Sequence, residues 1–128
     1  MFADTSGFLA GYSASDARHA TATAALSESV ILISTRLIVI ETVSLLTKRL
    51  SPFHARAWYE SIVHTDAVQI REFDPGLFAD AERLWMRHRD KDWDLIDCYS
   101  FCLMRKEKLT RAWTFDHHYS QAGFTILL

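Results

Sequence analysis

Four acidic residues stand where acids are rare: Asp4, Glu41, Asp97 and Asp116. Asp4 ends a short apolar start, Phe2-Ala3, and Asp116 closes an apolar strand candidate at 111–115. Asp97 opens an apolar helical run of Cys98, Tyr99, Phe101, Cys102, Leu103 and Met104, while Glu41 is the single acid in an apolar helix. A carboxylate in such surroundings is costly unless something pairs with it. The helical neighbours of Glu41 are Leu37, Ile38, Ser44 and Leu45, so no cation on its own helix serves it. Taken singly, each acid has a plainer reading. Asp97 fits as a helix-start acid stabilised by the macrodipole, and Glu41 fits as a side chain reaching out to solvent. Taken together, clustered carboxylates repel and persist only around a cation. Oxygen ligands with few histidines favour Mg²⁺ or Mn²⁺ over zinc. Such a centre suits phosphodiester hydrolysis, because the ion turns water into a nucleophile and neutralises phosphate charge.

The elements that must position these acids alternate along the chain. A very short strand at 2–3 is followed by a turn of helix at 7–9, with Thr5 or Ser6 as cap and Gly11 as breaker. A helix at 17–26 starts from Ser15 or Asp16, and the β-branched run at 30–33 reads as a buried strand. Ser34 or Thr35 caps a long helix at 36–49, and Ser51-Pro52 restarts the chain into a helix at 53–64. A strand at 67–71 and a helix from Asp74-Pro75 to about residue 88 follow, then a charged loop, Arg89 to Asp92. The Asp97 helix runs to about 108, then come the strand at 111–115, a polar turn at 117–120 and a last strand at 124–128. Strands alternating with helices predict an α/β fold with a central parallel sheet. Its carboxyl edge is where such sheets bind ligands, and three of the acids fall there. Glu41 joins them if its helix leans over that edge.

Composition narrows the function classes. The 128 residues predict one domain, 1–128, with one core, and 49% hydrophobic and 12% aromatic content excludes disorder. A net charge of −2 announces no nucleic acid globally. Local clusters, Arg83/Arg87/Arg89/Lys91 and Arg105/Lys106/Lys108/Arg111, suit RNA phosphates, and helix dipoles account for them equally well. The start carries Asp4 and no basic region, unlike a signal peptide. The longest apolar run, 30–40, carries Arg36 and falls short of the roughly 20 residues that span a membrane. Cys98 and Cys102 lie four apart on one helix, a poor geometry for a disulfide or a zinc knuckle. The expectation is a cytoplasmic protein with no membrane association. Trp58, Trp85, Trp93 and Trp113 are part of an apolar surplus larger than one small core readily hides, which predicts a homodimer. His117 and His118 read as surface or turn histidines, since adjacent side chains diverge and at most one reaches the site. No histidine is placed to activate Ser100, so it is no nucleophile.

Four segments resemble PIN-domain ribonucleases in order and spacing, over nearly the whole chain. They are Asp4-Thr5-Ser6 after the apolar start, Glu41-Thr42, Asp97-Cys98-Tyr99-Ser100, and Thr114-Phe115-Asp116-His117-His118-Tyr119 followed by Gly123-Phe124. Small stand-alone bacterial members are mostly VapC-type toxins paired with an antitoxin. The resemblance implies a PIN-like domain with four or five parallel strands between helices. It implies a Mg²⁺- or Mn²⁺-dependent endoribonuclease acting on RNA, with a cognate antitoxin as partner. Asp4, Glu41, Asp97 and Asp116 would hold the metal, and water activated there would attack in line without a covalent intermediate. Ser6 and Thr114 would orient a carboxylate or water, and Ser100 joins this supporting set. Two positions depart from the pattern. Asp94 stands where Ser or Thr is common, either as a helix cap, the reading favoured here, or as a further acid on the metal. Tyr119 stands where Phe is more usual, a mild change. The competing readings are an RNA-processing nuclease without antitoxin and a non-catalytic module that binds RNA or protein. The four intact acids argue against the latter.

Overall fold

A computed structural model describes residues 1–127. The elements run β1 (Phe2–Ala3), α1 (Thr5–Tyr12), α2 (His19–Ala24), β2 (Leu32–Thr35), α3 (Arg36–Arg49), α4 (Pro52–Val63), β3 (Val68–Arg71), α5 (Pro75–Arg87), α6 (Leu95–Lys106), β4 (Ala112–Trp113) and α7 (His117–Gln121). Four strands form one sheet in the order β3-β2-β1-β4, with every pairing parallel. The helices pack in two groups, α1 to α4 and α5 to α7. A parallel sheet covered in this way buries its central strand, and Phe2 and Ala3 of β1 are wholly buried. The chain leaves β1 directly into Asp4, so the first acid stands at the carboxyl end of the middle strand.

Local chemistry sets most helix starts. Thr35 accepts from the Ile38 amide, Ser51 from His54, and Asp74 from Gly76 and Leu77, each satisfying amides that a helix start leaves bare. Pro stands in the first turns of α4 and α5, where no amide is missed. Phe8 packs edge-on to both Trp58 and Trp113 in the core, at 5.2 and 5.6 Å. Phe101 does the same with Trp93 and Tyr119, at 5.1 and 5.0 Å. Cys98 and Cys102 are free thiols, and burial pushes Cys98 up to about 12.

Several expectations need correction. The single turn at 7–9 is a full helix, α1, entered from Asp4 rather than from Thr5 or Ser6. Gly11 does not break it. Gly7 and Gly11 instead let α1 lie against Trp113, whose carbonyl oxygen would stand 2.2 Å from a Cβ at Gly7 and whose ring would stand 2.7 Å from one at Gly11. The helix at 17–26 shrinks to α2, with no side-chain cap at Arg18. The second strand lies two residues later than the β-branched run suggests, because its pairing partners are set by β1 and β3. The turn at 117–120 is helix α7, capped by Asp116. The last strand reduces to one bridge, Thr125 with Arg111, because β4 offers only two ladder residues; Leu128 lies outside the described residues. The tryptophan surplus is mostly absorbed: Trp58, Trp93 and Trp113 are buried, and Trp85 is 43% exposed.

Gly7→Ala tests the α1–β4 contact. The methyl meets backbone, which cannot swing aside, so urea unfolding should register a loss of about 1–3 kcal/mol or more. An unchanged midpoint would mean that α1 is not held this closely to Trp113.

Candidate active site

Asp4 is held at both carboxylate oxygens. Thr114 donates to Oδ2 at 2.9 Å and Tyr119 donates to Oδ1 at 3.0 Å. Ser6 lies 3.4 Å from the same Oδ2 and 2.9 Å from the Thr114 hydroxyl, and its oxygen accepts from the Phe115 amide at 2.9 Å. The Thr114 hydroxyl in turn accepts from the Asp116 amide at 3.0 Å. The end of β1 and the end of β4 are therefore tied through one acid and two hydroxyls. The tyrosine at 119 is no mild change, since its phenol, wholly buried, supplies one of Asp4's two short bonds. Ser100 is buried in α6 beside Tyr119, its own oxygen without a properly aligned partner.

Asp94 and Asp97 form a capping box at the start of α6. Asp94 accepts from the Asp97 amide at 2.8 Å, and Asp97 accepts from the Asp94 amide at 3.1 Å. This is the cap expected of Asp94, which also faces the cleft. Asp116 caps α7 by accepting from the His118 amide at 2.9 Å. Helix geometry then turns the His118 ring back, with Nδ1 at 3.1 Å from Asp116 and 3.5 Å from Asp97. Asp116, His117 and His118 place ligand-type atoms within 4.8 Å of one another. His118 is the site residue that sequence reasoning set aside. Its signal was available: the second residue after a helix cap points back over the cap.

One cleft of about 390 Å³ collects the four acids, with Ser6, Asp94 and His118 also in its wall. Thr114 and Ser100 do not line it; Thr114 acts on it through Asp4. Glu41 reaches it from α3, so that helix does lean over the sheet edge. A larger groove, about 670 Å³ between α3 and α4, holds none of these acids.

The charges are out of balance. Burial, then the neighbouring Asp94, pushes Asp97 up to about 8, although the Asp94 amide pulls it the other way. Burial raises Asp4 against the pull of its Thr114 bond, and burial also raises Glu41, with the charges of Asp4, Asp94 and Asp116 adding to the effect. These are carboxylates aimed at one space and short of positive charge. A hard divalent cation, taking carboxylate oxygens with an imidazole nearby, fits that donor set.

A parallel sheet with acids gathered at its carboxyl edge is an arrangement that suits a divalent cation. The PIN domain signature matches residues 1–125, and the chain belongs to the PIN domain family. It is 30% identical to the 23S rRNA-specific endonuclease VapC20 of Mycobacterium tuberculosis, with the same match found in two strains, over 97% of this chain and 95% of that protein. The crystal structure of the M. tuberculosis VapC20, a sarcin–ricin loop cleaving toxin, matches with a TM-score of 0.90 over the same shares. The resemblance to PIN-domain ribonucleases of the VapC type, and the α/β fold it implies, are borne out.

The raised Asp97 sets a pH dependence. Its folded value, about 8, lies above the unfolded value near 4. The folded state therefore binds the extra proton, and this contribution to stability is full below pH ~4 and lost as pH rises through about 8. In EDTA, the melting temperature should fall between pH 5 and 8, and Asp97→Asn should flatten that slope and melt higher at pH 8. Parallel pH curves for the two proteins would contradict the assignment.

Proposed function

We propose that the protein is a Mg²⁺- or Mn²⁺-dependent endoribonuclease, the toxin of a toxin–antitoxin pair, acting in the cytoplasm on large-subunit ribosomal RNA. The observation that carries the metal dependence is the cleft itself, where Asp4, Glu41, Asp97 and Asp116 face one space with too little positive charge. The nuclease and toxin reading is supported by the family and by VapC20, whose target is 23S rRNA. When bound, the ion lowers the pKa of water and neutralises charge on the scissile phosphate. The chain supplies the rest. Thr114 and Tyr119 fix the Asp4 oxygens, the capping box fixes Asp97, and the α7 cap fixes Asp116. Such prior positioning removes reorganisation from the reaction itself. His118 brings its Nδ1 between Asp97 and Asp116, a nitrogen with no hydrogen-bond partner of its own.

Asp97→Asn keeps an acceptor oxygen for the Asp94 amide and removes the charge. Mg²⁺-dependent cleavage of 23S rRNA should fall by roughly 100-fold or more, the scale on which losing one preorganised group acts. Full activity would sink the assignment. Asp94→Ser keeps the cap, so half-saturating Mg²⁺ should coincide with wild type; a shift of tenfold or more would put Asp94 on the metal.

We also propose a homodimer. Part of the apolar surface left over lies on α3 and α4 as Ile40, Phe53 (75% exposed), Tyr59 and Val63, a surface of the kind isologous interfaces bury. Light scattering at micromolar concentration should return twice 14.7 kDa, and 14.7 kDa itself would refute it.

A further inference from the structure

The acid cleft presents a difficulty for a polyanionic substrate. Asp4, Glu41, Asp92, Asp94, Asp97 and Asp116 all line it. One divalent ion offsets only part of that charge, and a strand of RNA must still be drawn in against the remainder. Two side chains in the same wall answer this, and both are arginines: Arg18 and Arg49. We propose that Arg18 and Arg49 are RNA-phosphate contacts on either side of the scissile linkage. The proposal rests on the nuclease reading above and names the residues that grip its substrate.

The sheet order places them on opposite flanks. Arg49 ends α3, the helix that follows β2, and the cleft face of that helix reads Glu41, Leu45, Arg49. Arg18 lies over the ring of Phe115, 5.0 Å from its centroid, and Phe115 follows β4. Strands β2 and β4 stand on either side of β1, whose end carries Asp4. Both side chains line the one cleft that holds the acids, so RNA entering it meets a cation from each flank.

Arg18 is also prepared for the task. Asp16 accepts from its backbone amide at 2.8 Å and from its Nε and Nη2 at 3.2 Å each. With the Phe115 ring beneath it, the guanidinium is fixed in place while 43% of its side chain stays exposed. A guanidinium fixed by one carboxylate and one ring loses less freedom on binding, and its remaining N–H groups match a phosphate's oxygens in a way that lysine does not. Arg49 has no salt bridge among the described residues and is exposed. The basic clusters singled out in the sequence do not line the cleft.

The test uses full-length protein, purified 23S rRNA for cleavage and a fluorescein-labelled fragment of it for binding by anisotropy, across a salt series. Arg18→Gln, Arg49→Gln, the charge-keeping Arg18→Lys and the double Gln variant are compared with Lys108→Gln, which removes the same charge at the opposite edge of the sheet. Each Gln variant should weaken binding roughly tenfold, the scale of a charge-assisted hydrogen bond, and should lower the salt slope by about 1. KM should rise while kcat stays within about threefold, since neither arginine is asked to touch the reacting atoms. Arg18→Lys should keep the salt slope and lose part of the affinity. A merely structural Arg18 would lower the melting temperature and leave the salt slope alone, and that result overturns the proposal. So does wild-type slope in the double variant while wild type binds and cleaves. If wild type neither binds nor cleaves 23S rRNA, the nuclease reading fails first and the proposal falls with it.

Discussion

A carboxylate at the end of a buried central strand has to be stabilised by something other than water. Asp4 is in that position, and the groups that stabilise it come from distant parts of the chain: Thr114 from the end of β4 and Tyr119 from α7. Ser6 adds its hydroxyl from the first turn of α1 and ties the Phe115 amide into the same knot. The burial of one acid therefore dictates where β1, β4, α1 and α7 meet. The close approach of Gly7 and Gly11 to Trp113 belongs to the same constraint, because α1 must leave β1 without pushing β4 away.

Two of the other acids are placed by helix starts. Asp97 is three residues into α6 and locked to Asp94, and Asp116 is the cap of α7. Helix N-termini favour negative charge and leave amides to be satisfied. A carboxylate used as a cap is thus both stabilised and oriented before any ligand arrives. What the caps do not supply is a full countercharge, and burial leaves Asp97 with a proton affinity far above an ordinary aspartate. Local structure is satisfied while net charge is not. Burying acids at a cost in stability is the usual trade between stability and function at a site.

Around that acid floor the chain uses a different device for each sign of charge. Carboxylates are buried and hydrogen-bonded, and the arginines at the rim stay exposed, one of them braced by Asp16 and Phe115. A buried anion array and an exposed cation rim make different demands on folding. The array needs the whole sheet to be assembled, whereas Arg49 needs only its own helix end and Arg18 its turn plus the Phe115 ring. The apolar groove between α3 and α4 is separate from both.

Much of this was legible in the residues alone. Helices α3, α4, α5 and α6 carry their own start signals in Thr35, Ser51-Pro52, Asp74-Pro75 and Asp94, and capping acts over three residues, a range that sequence displays directly. The four acids stood out because apolar neighbours made them costly, and their order carried the family resemblance. The sequence revealed only one turn of α1, since glycine reads as a breaker until one sees Trp113 against it. Nor did it reveal α7, whose two histidines read as a turn, and with that went the direction of His118. The value of Tyr119 was invisible because its phenol meets an acid 115 residues away, and Arg18 finds Phe115 only across the fold. Residue type and short spacing determine which side chains are able to do chemistry. Which of them share one space depends on strand order in the sheet, and only the assembled structure decides that.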